Sequence, residues 1–223
     1  MPLAGKGMLI TWMDIDPTEE QDFNLWYDRE HLAERVGIDG FLEARRWIAD
    51  KAPTKYFCTY STDTFEALNG PAYKKVLANQ TDWSKKHISR FRNPGRVVGR
   101  TTVSRGLGRG AALGVLALRP GAAGKEPLRA KLREMLDPGT LAGIVSMHLV
   151  ESDPELSKNL TEPDKPNPGA GDWYVLIDGT DVAAISALID TRFKTSGMLV
   201  VSTATYRLMW DLAKNELSDA EVG

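Results

Sequence analysis

The chain has 223 residues, of which 42% are hydrophobic and 26% charged, and a formal net charge of −2. This is the composition of a globular protein that buries one large core or two small ones, and the charge argues against nucleic acid as its main partner. Cys58 is the single cysteine, which excludes an internal disulfide and a cysteine-based zinc site. No apolar run approaches the roughly 18 residues of a membrane span, and the first residues lack the apolar core of a signal peptide. The reading is a cytoplasmic chain with no membrane partner.

In chain order, residues 8–14 read as a strand. Asp16-Pro17-Thr18-Glu19-Glu20 then offers a capping side chain, a proline suited to a first turn and two acids for the positive end of a helix that runs to about residue 36 and stops near Gly37. Strands follow at 41–48 and 55–61, helical segments at 65–77 and 82–91, and a strand at 96–104. The same order recurs about a hundred residues later, with strand 112–118, helix 126–136, strands 144–151 and 173–178, helix 182–193 and strand 199–210. Gly40-Phe41-Leu42 and Gly143-Ile144-Val145 fall at the same strand start. The expected fold class is α+β: two tandem ferredoxin-like βαββαβ units, residues 1–108 with the candidate site and 109–223 degenerate, forming an α+β barrel within one chain. On this reading residues 1–108 alone are not a stable soluble monomer, and a homodimer through edges or helices stays open.

The helix at 19–36 holds the most informative stretch, Asn24-Leu25-Trp26-Tyr27-Asp28-Arg29-Glu30-His31. At helical spacing Asn24, Tyr27 and His31 share one stripe with Phe23, while Leu25, Leu32 and Val36 fall nearly opposite, so the helix is expected to be covered on two faces. A tyrosine and a histidine in reach of one another are suited to proton transfer, with Asp28 or Glu30 setting the imidazole tautomer and Asn24 donating a hydrogen bond to substrate. The corresponding helix at 126–136 is plainly amphipathic and has no such residues, which argues that the stripe is not required by the fold.

Phe23-Asn24-Leu25-Trp26-Tyr27-Asp28-Arg29-Glu30-His31-Leu32, followed by Gly40-Phe41 and Leu42-Glu43-Ala44-Arg45-Arg46-Trp47, resembles the pattern of EthD-like proteins in the dimeric α+β barrel superfamily. The resemblance covers about the first hundred residues. It implies a ferredoxin-like fold shared by cofactor-free monooxygenases, isomerases, cyclases, decarboxylases, haem proteins and members with no assigned activity, so it does not by itself choose a function.

Trp12, Trp26, Trp47 and Trp83, with His87 one turn from Trp83, are spread over the elements expected to enclose a pocket, and favour an apolar, aromatic ligand. Three scattered histidines without His-Glu-x-x-His or His-x-His spacing argue against a metal, and one helical histidine is thin support for haem. No metal or cofactor is expected. From Lys85 to Arg109 there are eight Lys or Arg and no acid, read as a solvated face with a carboxylate ligand or an acidic surface as the alternative. Residues 152–171, rich in proline, read as an insertion, either mobile or a lid, in which 157–167 could be trimmed with folding nearly intact. The functional reading is a cofactor-independent lyase, isomerase, cyclase or decarboxylase acting on a small hydrophobic, aromatic metabolite through His31 and Tyr27. A cofactor-free monooxygenase and a non-enzymatic ligand-binding or stress-associated protein are the alternatives.

Overall fold

The computed structural model describes residues 3–121, 124–158, 167 and 169–217. Eight strands, β1 (Gly7–Asp14), β2 (Phe41–Lys51), β3 (Tyr56–Thr62), β4 (Arg92–Gly106), β5 (Ala112–Leu118), β6 (Ile144–Ser152), β7 (Trp173–Gly179) and β8 (Val200–Ala213), close into a barrel in the order β1-β3-β2-β8-β5-β7-β6-β4. Every pairing is antiparallel. Cut at the β2–β8 and β4–β6 seams, the ring falls into β4-β1-β3-β2 and β8-β5-β7-β6, two runs with one internal order. Helices α1 (Glu20–Trp26), α2 (Leu32–Gly37), α3 (Pro71–Ala78) and α4 (Asp82–Ile88) belong to the first half of the chain, and α5 (Lys125–Met135) and α6 (Val182–Leu188) to the second. Among the described residues no helix is long and apolar enough to cross a membrane.

Alternation along the strands sorts side chains between the barrel interior and the helix-covered outside. Met8, Ile10, Trp47, Phe57, Leu113, Val115 and Leu176 fill the interior. Leu9, Met13, Phe41 and Tyr60 pack outward against α1 and α2, and Leu116, Leu149, Val175 and Ile177 against α5 and α6. Gly40 and Gly143 both adopt left-handed backbone, φ 86° and 77°, at the starts of β2 and β6. A Cβ on Gly40 would lie 2.7 Å from Ala67 Cβ, and one on Gly143 2.8 Å from Ala184 Cβ. Each glycine thus lets its strand enter beneath a neighbouring helix where a side chain has no room.

The insertion is not uniformly dispensable. Residues 159–166 and 168, its centre, lie outside the described residues. Its flanks are tied to β4: the amide of Asp153 donates to Val98 O at 2.8 Å, and the fully buried Ser157 Oγ accepts from Val98 N at 2.9 Å. Asn167 Nδ2 donates to both Arg96 O and Ser157 O. A cut that removes residues 157–167 therefore takes anchors as well as loop, which corrects the expectation of nearly intact folding. Ser157→Ala should lower the unfolding free energy by about 1–3 kcal/mol, because it leaves the buried Val98 amide unpaired. Urea denaturation reads this directly.

The basic run between Lys85 and Arg109 also takes a definite role. Lys86 pairs with Asp22, Arg90 with Glu19, Arg92 with Asp16, Arg100 with Glu66 and Arg109 with Glu43. The pairs join the run to acids of the first half of the chain, and the side chains of Lys86, Arg90, Arg92 and Arg100 stay about half exposed, as a solvated face requires.

Candidate functional site

The candidate helix starts as its sequence dictates. Asp16 Oδ1 accepts from the Thr18 amide at 3.0 Å, Pro17 opens a short 3-10 turn, and α1 follows from Glu20. Between α1 and α2, however, residues Tyr27–His31 form a π-helical turn. Such a turn absorbs one extra residue and so advances the helix by roughly 100° relative to an uninterrupted α-helix. Phe23 and Trp26 before it, Tyr27 and His31 within it, and Leu32, Arg35 and Val36 after it are all buried, while Leu25 is exposed. The expectation of two covered faces is thereby corrected: the π-turn rephases the helix so that both halves bury one face.

His31 and Tyr27 come together, with ring centroids 4.9 Å apart, and Trp26 lies 4.2 Å from the imidazole. Burial holds the His31 pKa well below its ordinary value, helped by the Arg35 and Arg46 guanidiniums, so the ring is neutral at neutral pH. Burial likewise pushes the Tyr27 phenol well above its usual range, with Cys58 and Tyr60 adding to the effect, so it remains protonated. A neutral imidazole beside a protonated phenol is a base next to an acid. Tyr27 Oη donates to the Met13 sulfur at 3.8 Å, a weak partner, and lies beside Cys58 and Tyr60.

The supporting residues differ from those expected. Asp28 accepts from Arg46 Nη1 at 3.0 Å and from Trp210 Nε1 at 2.9 Å. Glu30 accepts from Trp26 Nε1, Thr81 Oγ1 and Ser84 Oγ, fastening the π-turn to α4. Neither sets the His31 tautomer. The carboxylate nearest His31 Nδ1 is Glu34, 4.0 Å away, and Glu34 also lies 3.5 Å from Arg35. Asn24 is engaged too, its Nδ2 donating to Tyr56 Oη at 3.3 Å and its Oδ1 accepting from Arg46 at 2.6 Å. Arg46, 0% exposed, stacks 4.2 Å over the Tyr27 ring. Sequence reasoning missed Glu34, Arg35 and Arg46. The signal was present in Arg45-Arg46, two charges set between Ala44 and Trp47 in a strand, of which Arg46 is placed by its outward register beside Cys58 and Trp210.

The tryptophan set divides across the sheet. Trp26 and Trp83 lie on the helix side, with the buried His87 stacked 5.2 Å from Trp26 and its Nε2 3.1 Å from Asp22. Trp12 and Trp47 face the barrel interior, where Trp12 packs on Tyr174 and Arg45 lies 4.3 Å from the Trp47 ring. They do not line one pocket with His31, because alternate strand residues point to opposite faces.

Among the described residues, several buried polar atoms at this helix have no hydrogen-bond partner: His31 Nδ1, Glu34 Oε2, an Arg35 terminal nitrogen, Arg46 Nε and, on the facing strand, Thr11 Oγ1. Three of these atoms face one another, since Glu34 Oε2 lies 4.0 Å from His31 Nδ1 and 3.5 Å from the Arg35 nitrogen, too long for hydrogen bonds but within ion-pair range. The cluster also carries a pH signature. His31 binds a proton more readily in the unfolded chain than in the fold, so stability falls as pH drops below the ordinary histidine value of 6.5, and goes on falling toward the depressed folded value. The slope from one such proton is at most about 1.4 kcal/mol per pH unit. Denaturation between about pH 6.5 and 5 should show a smaller dependence in His31→Gln than in the wild type, and equal slopes would contradict the buried neutral imidazole.

No protein-family model matches the chain, and no curated protein matches it in sequence. Solved structures do match in fold. A Fusobacterium nucleatum protein named provisionally as a monooxygenase superposes with a TM-score of 0.63 at 10% identity, over 95% of each chain. An anthrone oxidase-like protein gives 0.61 at 9% identity over 96% of this chain and 95% of its own. A protein named provisionally as a chlorite dismutase gives 0.57 at 8% identity over 93% and 96%. At these identities the likeness is one of fold alone.

Proposed function

We propose that the chain is a tandem of two ferredoxin-like units of EthD-like type, and that its first unit handles a small hydrophobic, aromatic metabolite in the cleft between the α1–α2 helix and the sheet. The matching strand orders of the two runs and the matching glycines at 40 and 143 support the tandem arrangement. The observation that carries the functional reading is the pairing of the His31 and Tyr27 rings, centroids 4.9 Å apart, beside an aromatic wall of Phe23, Trp26 and Tyr56.

The chemistry follows from the two side chains. His31, held neutral, accepts a proton from an activated carbon or phenol, and Tyr27, held protonated, donates a hydrogen bond to the oxygen on which negative charge then develops. Glu34 is the carboxylate placed to receive the imidazole Nδ1–H, and Arg35 and Arg46 supply positive charge. The residues do not suit haem, since Trp26 and Tyr27 lie against the His31 ring where a macrocycle would have to sit. Lyase, isomerase, cyclase and decarboxylase steps all begin with such a proton transfer, and so does cofactor-free oxygenation of a quinol. The names of two fold neighbours, a monooxygenase and an anthrone oxidase-like protein, favour keeping oxygenation as the second reading.

The test is to incubate the purified protein with phenols, quinols and activated carbonyl acids, following binding by native mass and conversion by chromatography, with and without dioxygen. Conversion supports the enzyme reading, and dependence on dioxygen selects oxygenation. Saturable binding without conversion would establish the ligand-binding alternative, and no binding by any aromatic compound would overturn the proposed site.

A further inference from the structure

The barrel interior is apolar over most of its length but ends in a network of charge that the reading above does not use. Arg45, 4% exposed, donates from Nη1 to Asp178 Oδ1 at 2.6 Å and from Nη2 to Gly110 O at 2.6 Å. Asp178, 2% exposed, also lies 3.6 Å from His148 Nε2. Glu43, 5% exposed, is held by Arg109 and by Ser61 Oγ at 3.3 Å. Burying these charges is expensive, and a barrel end filled with Leu and Val would not incur that cost. The network borders a cavity of about 360 Å³ lined by Glu43, Arg109, Asp211 and Glu216, at the small end of the range typical of ligand sites.

We propose that this cavity binds a small zwitterion of the α-amino-acid class, with its ammonium on Glu43 and Asp211 and its carboxylate on Arg109. The argument is one of charge exchange. Glu43 is buried and needs a cation, and the one it has, Arg109, sits on the β4–β5 loop between Gly106 and Gly110, where Gly106 and Gly108 adopt positive φ of 96° and 78°. For the arginine to leave Glu43 without stranding a buried charge, another cation must take its place there and an anion must receive it. An amine alone leaves Arg109 without an anion, and a carboxylate alone strips Glu43 of its cation. A zwitterion satisfies both and adds no net charge. The second acid of the site is held from behind. The buried Arg45 Nε lies 3.5 Å from the half-exposed Asp211 that lines the cavity, an ion pair behind the cavity wall. Arg45 therefore fixes the direction of the Asp211 carboxylate, which keeps one oxygen at the cavity wall.

Isothermal titration of the full-length protein with each proteinogenic L-α-amino acid tests this. At least one should bind with a Kd below about 1 mM. Its methyl ester, which lacks the carboxylate, and its N-acetyl derivative, which lacks the ammonium, should each bind at least about tenfold more weakly, the loss expected when a charged hydrogen-bond partner is removed. Asp211→Asn, at a half-exposed position that the fold tolerates, should weaken binding similarly while circular dichroism stays unchanged. The proposal is overturned if no amino acid binds saturably, if the ester or the N-acetyl form binds as well as the parent, or if Asp211→Asn retains wild-type affinity.

Discussion

Asp178→Ala is expected to destabilise the protein by about 3–5 kcal/mol, the cost of leaving a buried charge unpaired. Arg45 loses its 2.6 Å partner inside the barrel and keeps only the Gly110 carbonyl and the more distant Asp211. For a chain of this length the loss corresponds to a fall in Tm of roughly 6–20 °C. Urea unfolding should show a lower midpoint with an unchanged slope. Replacing both partners, Arg45→Met with Asp178→Leu, should recover much of the loss, since removing the pair together strands no charge. The exposed Arg207–Asp50 pair is the control: Arg207→Ala should cost no more than about 1 kcal/mol. If Asp178→Ala costs as little as Arg207→Ala, the interior network is hydrated and the cavity argument loses its foundation.

The elements were readable from the sequence because their signals are local. Asp16-Pro17 fixes the helix start, Ala112–Leu118 is a strand at the residues expected, and the repeated order of elements matches the repeated order of strands around the barrel. What was not readable depends on register. Arg45 and Arg46 are neighbours in sequence, yet one joins the interior network and the other lies over Tyr27 on the outside. Nothing in a single sequence says which of two adjacent arginines faces which way until the strand is paired. The same alternation separates Trp12 and Trp47 from Trp26 and Trp83. His148, one of the three scattered histidines, is met by Ser104 and Ser146, each 3.0 Å from one of its ring nitrogens, and by Asp178, which converge on it from β4, β6 and β7. The π-turn is a further case, because a projection at constant angle has no means of registering an inserted residue. It moved Glu34 and Arg35 into the His31 environment and left Asp28 and Glu30 to bind other elements. Tyr27 and His31 remained together because both lie within the π-turn itself.

His31→Ala is expected to reduce turnover on a converted substrate by roughly 10²- to 10⁴-fold, the usual contribution of one general acid or base. The expectation rests on an imidazole that is neutral, adjacent to a protonated phenol and without a hydrogen-bond partner at Nδ1 among the described residues. Because the ring is buried against Trp26, its removal also leaves a cavity that costs on the order of 2 kcal/mol, so rates must be compared at a temperature where the variant is folded. Tyr27→Phe separates chemistry from packing: the ring contacts with Phe23 and Arg46 persist, only the hydroxyl is lost, and turnover should fall with little change in Tm. His148→Gln supplies the converse, since His148 faces the barrel interior and its loss should lower stability while turnover of the folded protein stays near wild type. A base role also predicts that the rate falls as His31 becomes protonated at low pH, a limb that His31→Ala should lack. Wild-type turnover in folded His31→Ala would remove this residue from the mechanism, and a protein in which His148→Gln is the more damaging change would move the chemistry to the barrel interior.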